Sequence, residues 1–124
     1  MKKLVKIKKA LISLSDKSDL KKILDNLYKY KIEIISSGGT YKEIKKLGFS
    51  CKKISDYTGF KEMLDGRIKS LHPKIHAGIL SVRNNKKHKK ELKYNNFEEI
   101  DLVVVNFYPI EKTIKETNNI NNII

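Results

Sequence analysis

Apolar residues along the chain switch between two spacings. Ala10-Leu11-Ile12-Ser13-Leu14 is a short apolar run and reads as a buried strand. After Ser15-Asp16-Lys17-Ser18, apolar positions recur at Leu20, Ile23, Leu24, Leu27 and Tyr28, which predicts an amphipathic helix over 19–30. Asp16 or Ser18 is placed to cap it. A second apolar run at 32–36 predicts a strand. Tyr41, Ile44 and Leu47 then predict a helix stopped by Gly48. A third strand is expected at 49–54, then a stretch, 55–76, whose middle should be irregular because of Gly59, Gly66 and Pro73, and a short strand or turn packed on the core at 75–82. Residues 84–87 read as a polar loop and 88–94 as a short charged helix. Leu102-Val103-Val104-Val105 centres the clearest strand, 100–107, in a continuous apolar run typical of a parallel strand buried on both faces. A helical pattern returns at 110–117, and 118–124 carries neither cap nor stop, as if cut off.

Strands alternating with helices predict an α/β fold, a three-layer α/β/α arrangement around a mostly parallel sheet. In such sheets ligands sit beyond the carboxyl ends of the strands. The polar clusters at 13–18, 36–40 and 106–108 all fall at such ends. The first surrounds a helix N-terminus with Ser13, Ser15, Lys17 and Ser18, which suits a phosphate or equally ordinary capping. The second, Ser36-Ser37-Gly38-Gly39-Thr40, lets backbone N–H groups close on an oxyanion. It is not a Walker loop, because no Lys-Ser/Thr pair follows the glycines. Together they point to a small phosphorylated metabolite.

A chain of 124 residues accommodates one domain, taken as 1–124 and incomplete at its C-terminus. No run approaches the ~20 apolar residues of a membrane span, and the basic N-terminus lacks the apolar stretch of a signal peptide. The single cysteine, Cys51, excludes an internal disulfide and suits the cytoplasm. The net charge of +13 raises a nucleic-acid reading. However, the lysines are spread along the whole chain and no zinc-finger spacing or aromatic RNA-binding motif is present, so only loose, salt-sensitive binding is expected. The chain has only two arginines, Arg67 and Arg83. Arg67 stands with Lys69, Ser70 and His72 between Gly66 and Pro73, a loop suited to an anionic, hydrogen-bonding ligand. The same composition would also serve a solvated basic loop.

Ser13-Leu14-Ser15-Asp16-Lys17, Ser36-Ser37-Gly38-Gly39-Thr40, the long stretch 55–76 and Asp101-Leu102-Val103-Val104-Val105-Asn106-Phe107-Tyr108-Pro109 occur in an order that resembles one family. It is the N-terminal IMP cyclohydrolase domain of bifunctional purine biosynthesis proteins of the PurH type, with a methylglyoxal-synthase-like fold. The resemblance runs over 9–117. It implies closure of the pyrimidine ring of a formylated aminoimidazole carboxamide ribotide to IMP and water, without metal or organic cofactor. It also implies a homodimer in the full-length protein. Ser15, Lys17, Ser37, Gly38, Gly39 and Thr40 would hold the ribotide phosphate. Arg67, Ser70, Leu71 and His72 would line the substrate, and Lys69, Asn106 and Tyr108 would face the reacting groups. For His72, a structural place beside Pro73 is an equal alternative.

The chain departs from the family at Asp19, where glycine is usual, and at Ser37 and Ser70, which replace threonines but keep the hydroxyl. The family continues past this point with an aspartate, a glycine pair and a lysine of the site, and with a formyltransferase domain. The isolated chain is therefore expected to bind ribotide weakly and to lack turnover. The rival readings are a methylglyoxal synthase, whose catalytic aspartate motifs are not recognisable here, and a non-catalytic regulatory domain of the same fold.

Overall fold

The computed structural model describes residues 6–61, 64 and 72–106. Four strands, β1 (Lys9–Ser13), β2 (Glu33–Ser36), β3 (Lys52–Lys53) and β4 (Leu102–Val105), form a parallel sheet in the order β3-β2-β1-β4. Among the described residues five helices connect them: α1 (Leu20–Lys29), α2 (Gly38–Lys46), α3 (Ile54–Thr58), α4 (Pro73–Leu80) and α5 (Lys86–Tyr94). Because side chains alternate across a strand, the two central strands sort their residues into two cores. Ala10, Ile12 and Ile34 meet Leu20, Leu24 and Leu27 of α1 and Ile44 of α2 on one face. Leu11 and Ile35 meet Ile54 and Tyr57 of α3, Ile75 of α4 and Ile100 on the other. That makes three layers, as the alternation of elements predicts.

The expected helix at 19–30 forms as α1, with Asp19 at its N-cap. Neither Asp16 nor Ser18 caps it. The Asp16 carboxylate instead accepts the Ser18 N–H at 3.0 Å, a local turn that competes with capping. Both α1 and α2 end in the same way. The N–H of Ile32 bonds Leu27 O and that of Lys31 bonds Tyr28 O. At α2, Phe49 bonds Ile44 O and Gly48 bonds Lys45 O. These are Schellman closures, each with a left-handed residue (Lys31 at φ 56°, Gly48 at φ 90°) and an apolar residue folding back on the helix.

Three sequence expectations change. The third strand shrinks to two bridged residues, because Ile54 turns inward at once and begins α3, a helix that occupies the end of the expected strand and the start of the stretch after it. Gly59, at φ 77°, stops it. Residues 73–80 form a helix and not a strand or turn. Pro73 sits in the first helical turn, where its missing N–H costs nothing, and His72 Nδ1 accepts the Lys74 N–H at 3.0 Å. Finally, β4 is an edge strand of the described sheet. Leu102 and Val104 pack on the core while Val103 and Val105 are exposed. The helix expected at 110–117 lies outside the described residues. Among those described, no helix is long and apolar enough to cross a membrane.

Candidate functional site

The register Ile12↔Ser36 and Ser13↔Val105 brings the carboxyl ends of β1, β2 and β4 to one edge. The loops leaving them are bonded into a unit. Asn106, just past β4, accepts the Ser15 N–H at 2.7 Å and the Ser15 hydroxyl at 2.8 Å through one oxygen, and its Nδ2 donates to Asp16 O at 2.9 Å. The Thr40 hydroxyl, buried on α2, accepts the Leu14 N–H and donates to Leu14 O, both at 3.1 Å. The Ser36 hydroxyl, fully buried, donates to Ile12 O at 2.6 Å. Side chains thus close the β1–α1 turn from both sides. Hydrogen bonds from Ser18 hold the Asp16 carboxyl below the ordinary carboxylate range, so it stays ionised at neutral pH.

What this frame presents is the N-terminus of α2. Ser37 precedes the helix in an extended conformation, and its side chain makes no capping bond. Gly38 follows at φ 52°, a left-handed conformation that favours glycine. Among the described residues, the N–H groups of Gly38, Gly39 and Thr40 have no acceptor. The Ser37 hydroxyl is buried and equally without a partner. Across from them lies Lys17, whose ammonium stands 3.6 Å from the position a Cβ on Gly39 would occupy. The unbonded N–H groups lie at the positive end of the helix, and the Lys17 ammonium approaches Gly39 there. A helix N-terminus with unbonded N–H groups and an ammonium beside it is suited to an oxyanion.

Of the site residues read from the sequence, Ser15, Lys17, Ser37, Gly38, Gly39, Thr40 and Asn106 are brought together here. The structure assigns two of them more narrowly. The Thr40 hydroxyl is taken up by Leu14, so its backbone N–H and not its hydroxyl is the unbonded donor among the described residues. The Asn106 amide is taken up by Ser15 and Asp16. His72 caps α4 and packs near Phe60, with ring centroids 6.4 Å apart, and none of its bonds reaches the cluster. Arg67, Lys69, Ser70, Leu71 and Tyr108 lie outside the described residues. Ser36 and Asp16 were not among the predicted site residues. A hydroxyl at the last position of a buried strand is the one signal for Ser36. No group of three or more metal-ligating side chains occurs among the described residues. Burial pushes the Cys51 thiol up to about 11, so it is not a thiolate nucleophile at neutral pH.

Residues 19–124 match the family model for the MGS-like domain. The chain is 49% identical over 112 residues to the bifunctional purine biosynthesis protein PurH of Acetivibrio thermocellus, and 46% identical over 111 residues to that of Leptospira biflexa. Each match covers 90% of this chain but 22% of the relative, so the chain spans about a fifth of the length of these relatives. Among solved structures, the crystal structure of ForH superposes with a TM-score of 0.73 at 27% identity, over 83% of this chain and 54% of ForH.

Proposed function

The chain belongs to the family of MGS-like domains, and from that premise we propose that it is the ribotide-binding part of an IMP cyclohydrolase, acting in de novo purine biosynthesis. The observation that carries this reading is the N-terminus of α2, where the N–H groups of Gly38, Gly39 and Thr40 are unbonded among the described residues and the Lys17 ammonium approaches Gly39. A ribotide carries one phosphate dianion, which fits one helix terminus and one lysine. The identity with PurH relatives, which are purine biosynthesis proteins, supports a purine precursor as the rest of the molecule.

In the proposed reaction the carboxamide nitrogen bonds to the formyl carbon, and the carbonyl electron pair moves onto the formyl oxygen. That oxygen takes a proton from the nitrogen and then leaves as water with a second nitrogen proton, which closes the aromatic ring. The task is chiefly one of holding two groups in contact. With the phosphate anchored at α2, the base is held at a fixed reach across the carboxyl ends. By the family resemblance, Arg67, Ser70 and Leu71 line the base end, Lys69 stabilises the charge growing on the formyl oxygen, and Tyr108 relays the proton. Asn106 acts as a positioning residue, because its amide holds the Ser15–Asp16 turn that precedes Lys17. The cytoplasm and a homodimer of the longer enzyme belong to the same reading.

The test follows IMP formation by absorbance from the formylated ribotide. It uses a chimaera in which this chain is continued by the remaining sequence of the Acetivibrio thermocellus relative. Cyclisation is expected, and Lys69→Ala is expected to lower turnover far more than substrate binding. Equal turnover in parent and variant removes Lys69 from the mechanism. Ribotide binding without cyclisation in the chimaera favours the regulatory-domain reading.

A further inference from the structure

At the β3 edge of the sheet lies a cleft of about 760 Å³, which shares no lining residue with the α2 cradle. Its volume falls within the range of small-molecule sites. Ile32, Ile34 and Cys51 give it an apolar lining. Four lysines also line it: Lys29 and Lys31 from the end of α1, and Lys52 and Lys53 on β3. Two carboxylates share the lining, Glu33 and Asp56, and Glu33 is bound to Lys9 at 3.3 Å. Like charges gathered in a concave surface concentrate anions from solution.

The cleft also has an aromatic wall. Tyr28 is held edge-on against Phe49, with ring centroids 5.8 Å apart and an interplanar angle of 77°, yet it remains 64% exposed. A ring that is fixed by a neighbour and still open to solvent loses little freedom when something stacks on it. Tyr41 also lines the cleft, with the Lys53 ammonium 5.3 Å from its ring centre. From the juxtaposition of a fixed, exposed tyrosine, an apolar lining and the lysines beside it, Lys53 above all, we propose that this cleft is a second binding site for a phosphorylated aromatic base. The base stacks on Tyr28, and the phosphates lie along Lys53 beside Tyr41; the Lys52 ammonium turns to the other face of the sheet, 5.7 Å from the Tyr57 ring centre. The ligand chemistry is that of a free nucleotide or of a nucleotide unit in a single strand. The site is independent of the ribotide reading.

The 124-residue chain carrying Lys17→Ala, which disables the α2 cradle, is titrated by calorimetry with ATP, inorganic tripolyphosphate and a twelve-residue oligoadenylate. ATP is expected to bind about tenfold more tightly than tripolyphosphate, and Tyr28→Ala to remove about that factor. Tyr28→Phe is expected to retain it, and Lys53→Gln to weaken all three ligands. Tighter binding of the oligoadenylate identifies a strand as the source, and tighter binding of ATP a free nucleotide. Should a variant fail to fold, amide shifts of the Lys17→Ala protein on adding ATP serve in its place, with the largest changes expected at 28–34 and 50–53. Equal affinity for ATP and tripolyphosphate, indifference of ATP binding to Tyr28→Ala in a folded protein, or shifts confined to other regions overturn the proposal.

Discussion

One oxygen of Asn106 accepts both the backbone N–H and the hydroxyl of Ser15, at 2.7 and 2.8 Å. The pair joins residues 91 positions apart and fixes the β1–α1 turn to the end of β4. Asn106→Ala removes these bonds and the one to Asp16 O. Both residues are exposed, so water replaces part of the loss, and the expected cost is about 1–2 kcal/mol. A urea titration reads it as a lower midpoint with unchanged slope. An unchanged midpoint would mean that the turn holds itself.

At the opposite end of the sheet, Lys9 is buried and meets Glu98 at 3.1 Å and Glu33 at 3.3 Å. Burial alone would weaken its charge. The Glu98, Tyr57 and Glu33 side chains outweigh that and hold it above its ordinary value of 10.5. A lysine raised on folding stabilises fully below its unfolded value, and this contribution is lost as pH rises through the folded one. Relative to Lys9→Met, the parent should therefore lose stability from about pH 10 upward. Denaturation midpoints of the two proteins that stay parallel across that range would contradict this.

How far the sequence could be read follows from which forces act locally. The strand and helix of 9–29 and the Ser36–Thr40 turn were legible because apolar period, breakers and hydroxyls agree there. α4 was missed because Ile75, Ala77, Ile79 and Leu80 around Gly78 look like a strand or turn by composition. The decisive signal was the His72-Pro73 start, which is a cap followed by a residue with no N–H to satisfy. β4 was expected to be buried on both faces from Val103, Val104 and Val105, but burial depends on what covers each face, and periodicity carries no record of that. The convergence on Lys17 was only half legible. Gly39 and Lys17 are far apart in sequence, and their approach depends on the parallel pairing of β1 with β2. The Asn106–Ser15 pairing left no local signal.

Gly78 of α4 faces the segment before β4, and its carbonyl accepts the Ile100 N–H at 2.9 Å. A Cβ there would stand 2.7 Å from Glu98 O and 3.1 Å from an Ile100 side-chain carbon. The first of these is backbone and cannot rotate away, so α4 or the 98–100 segment must shift. Gly78→Ala is expected to destabilise the protein by about 1–3 kcal/mol despite its better helix propensity. Thermal unfolding followed by circular dichroism checks this, and a variant as stable as the parent would mean that α4 slides freely on the sheet.

The central claim is that the N-terminus of α2, with Lys17 and Ser37, holds the phosphate of a purine ribotide. Its most direct test is a calorimetric titration of the 124-residue chain with IMP and with inosine, which differ only in the phosphate, repeated with Lys17→Ala. Lys17 offers one charge-assisted hydrogen bond, so its loss should weaken IMP about ten- to a hundredfold. Inosine should bind far more weakly than IMP and be indifferent to the substitution. Equal affinity for IMP and inosine in a folded protein, or IMP binding unchanged by Lys17→Ala, would contradict the account.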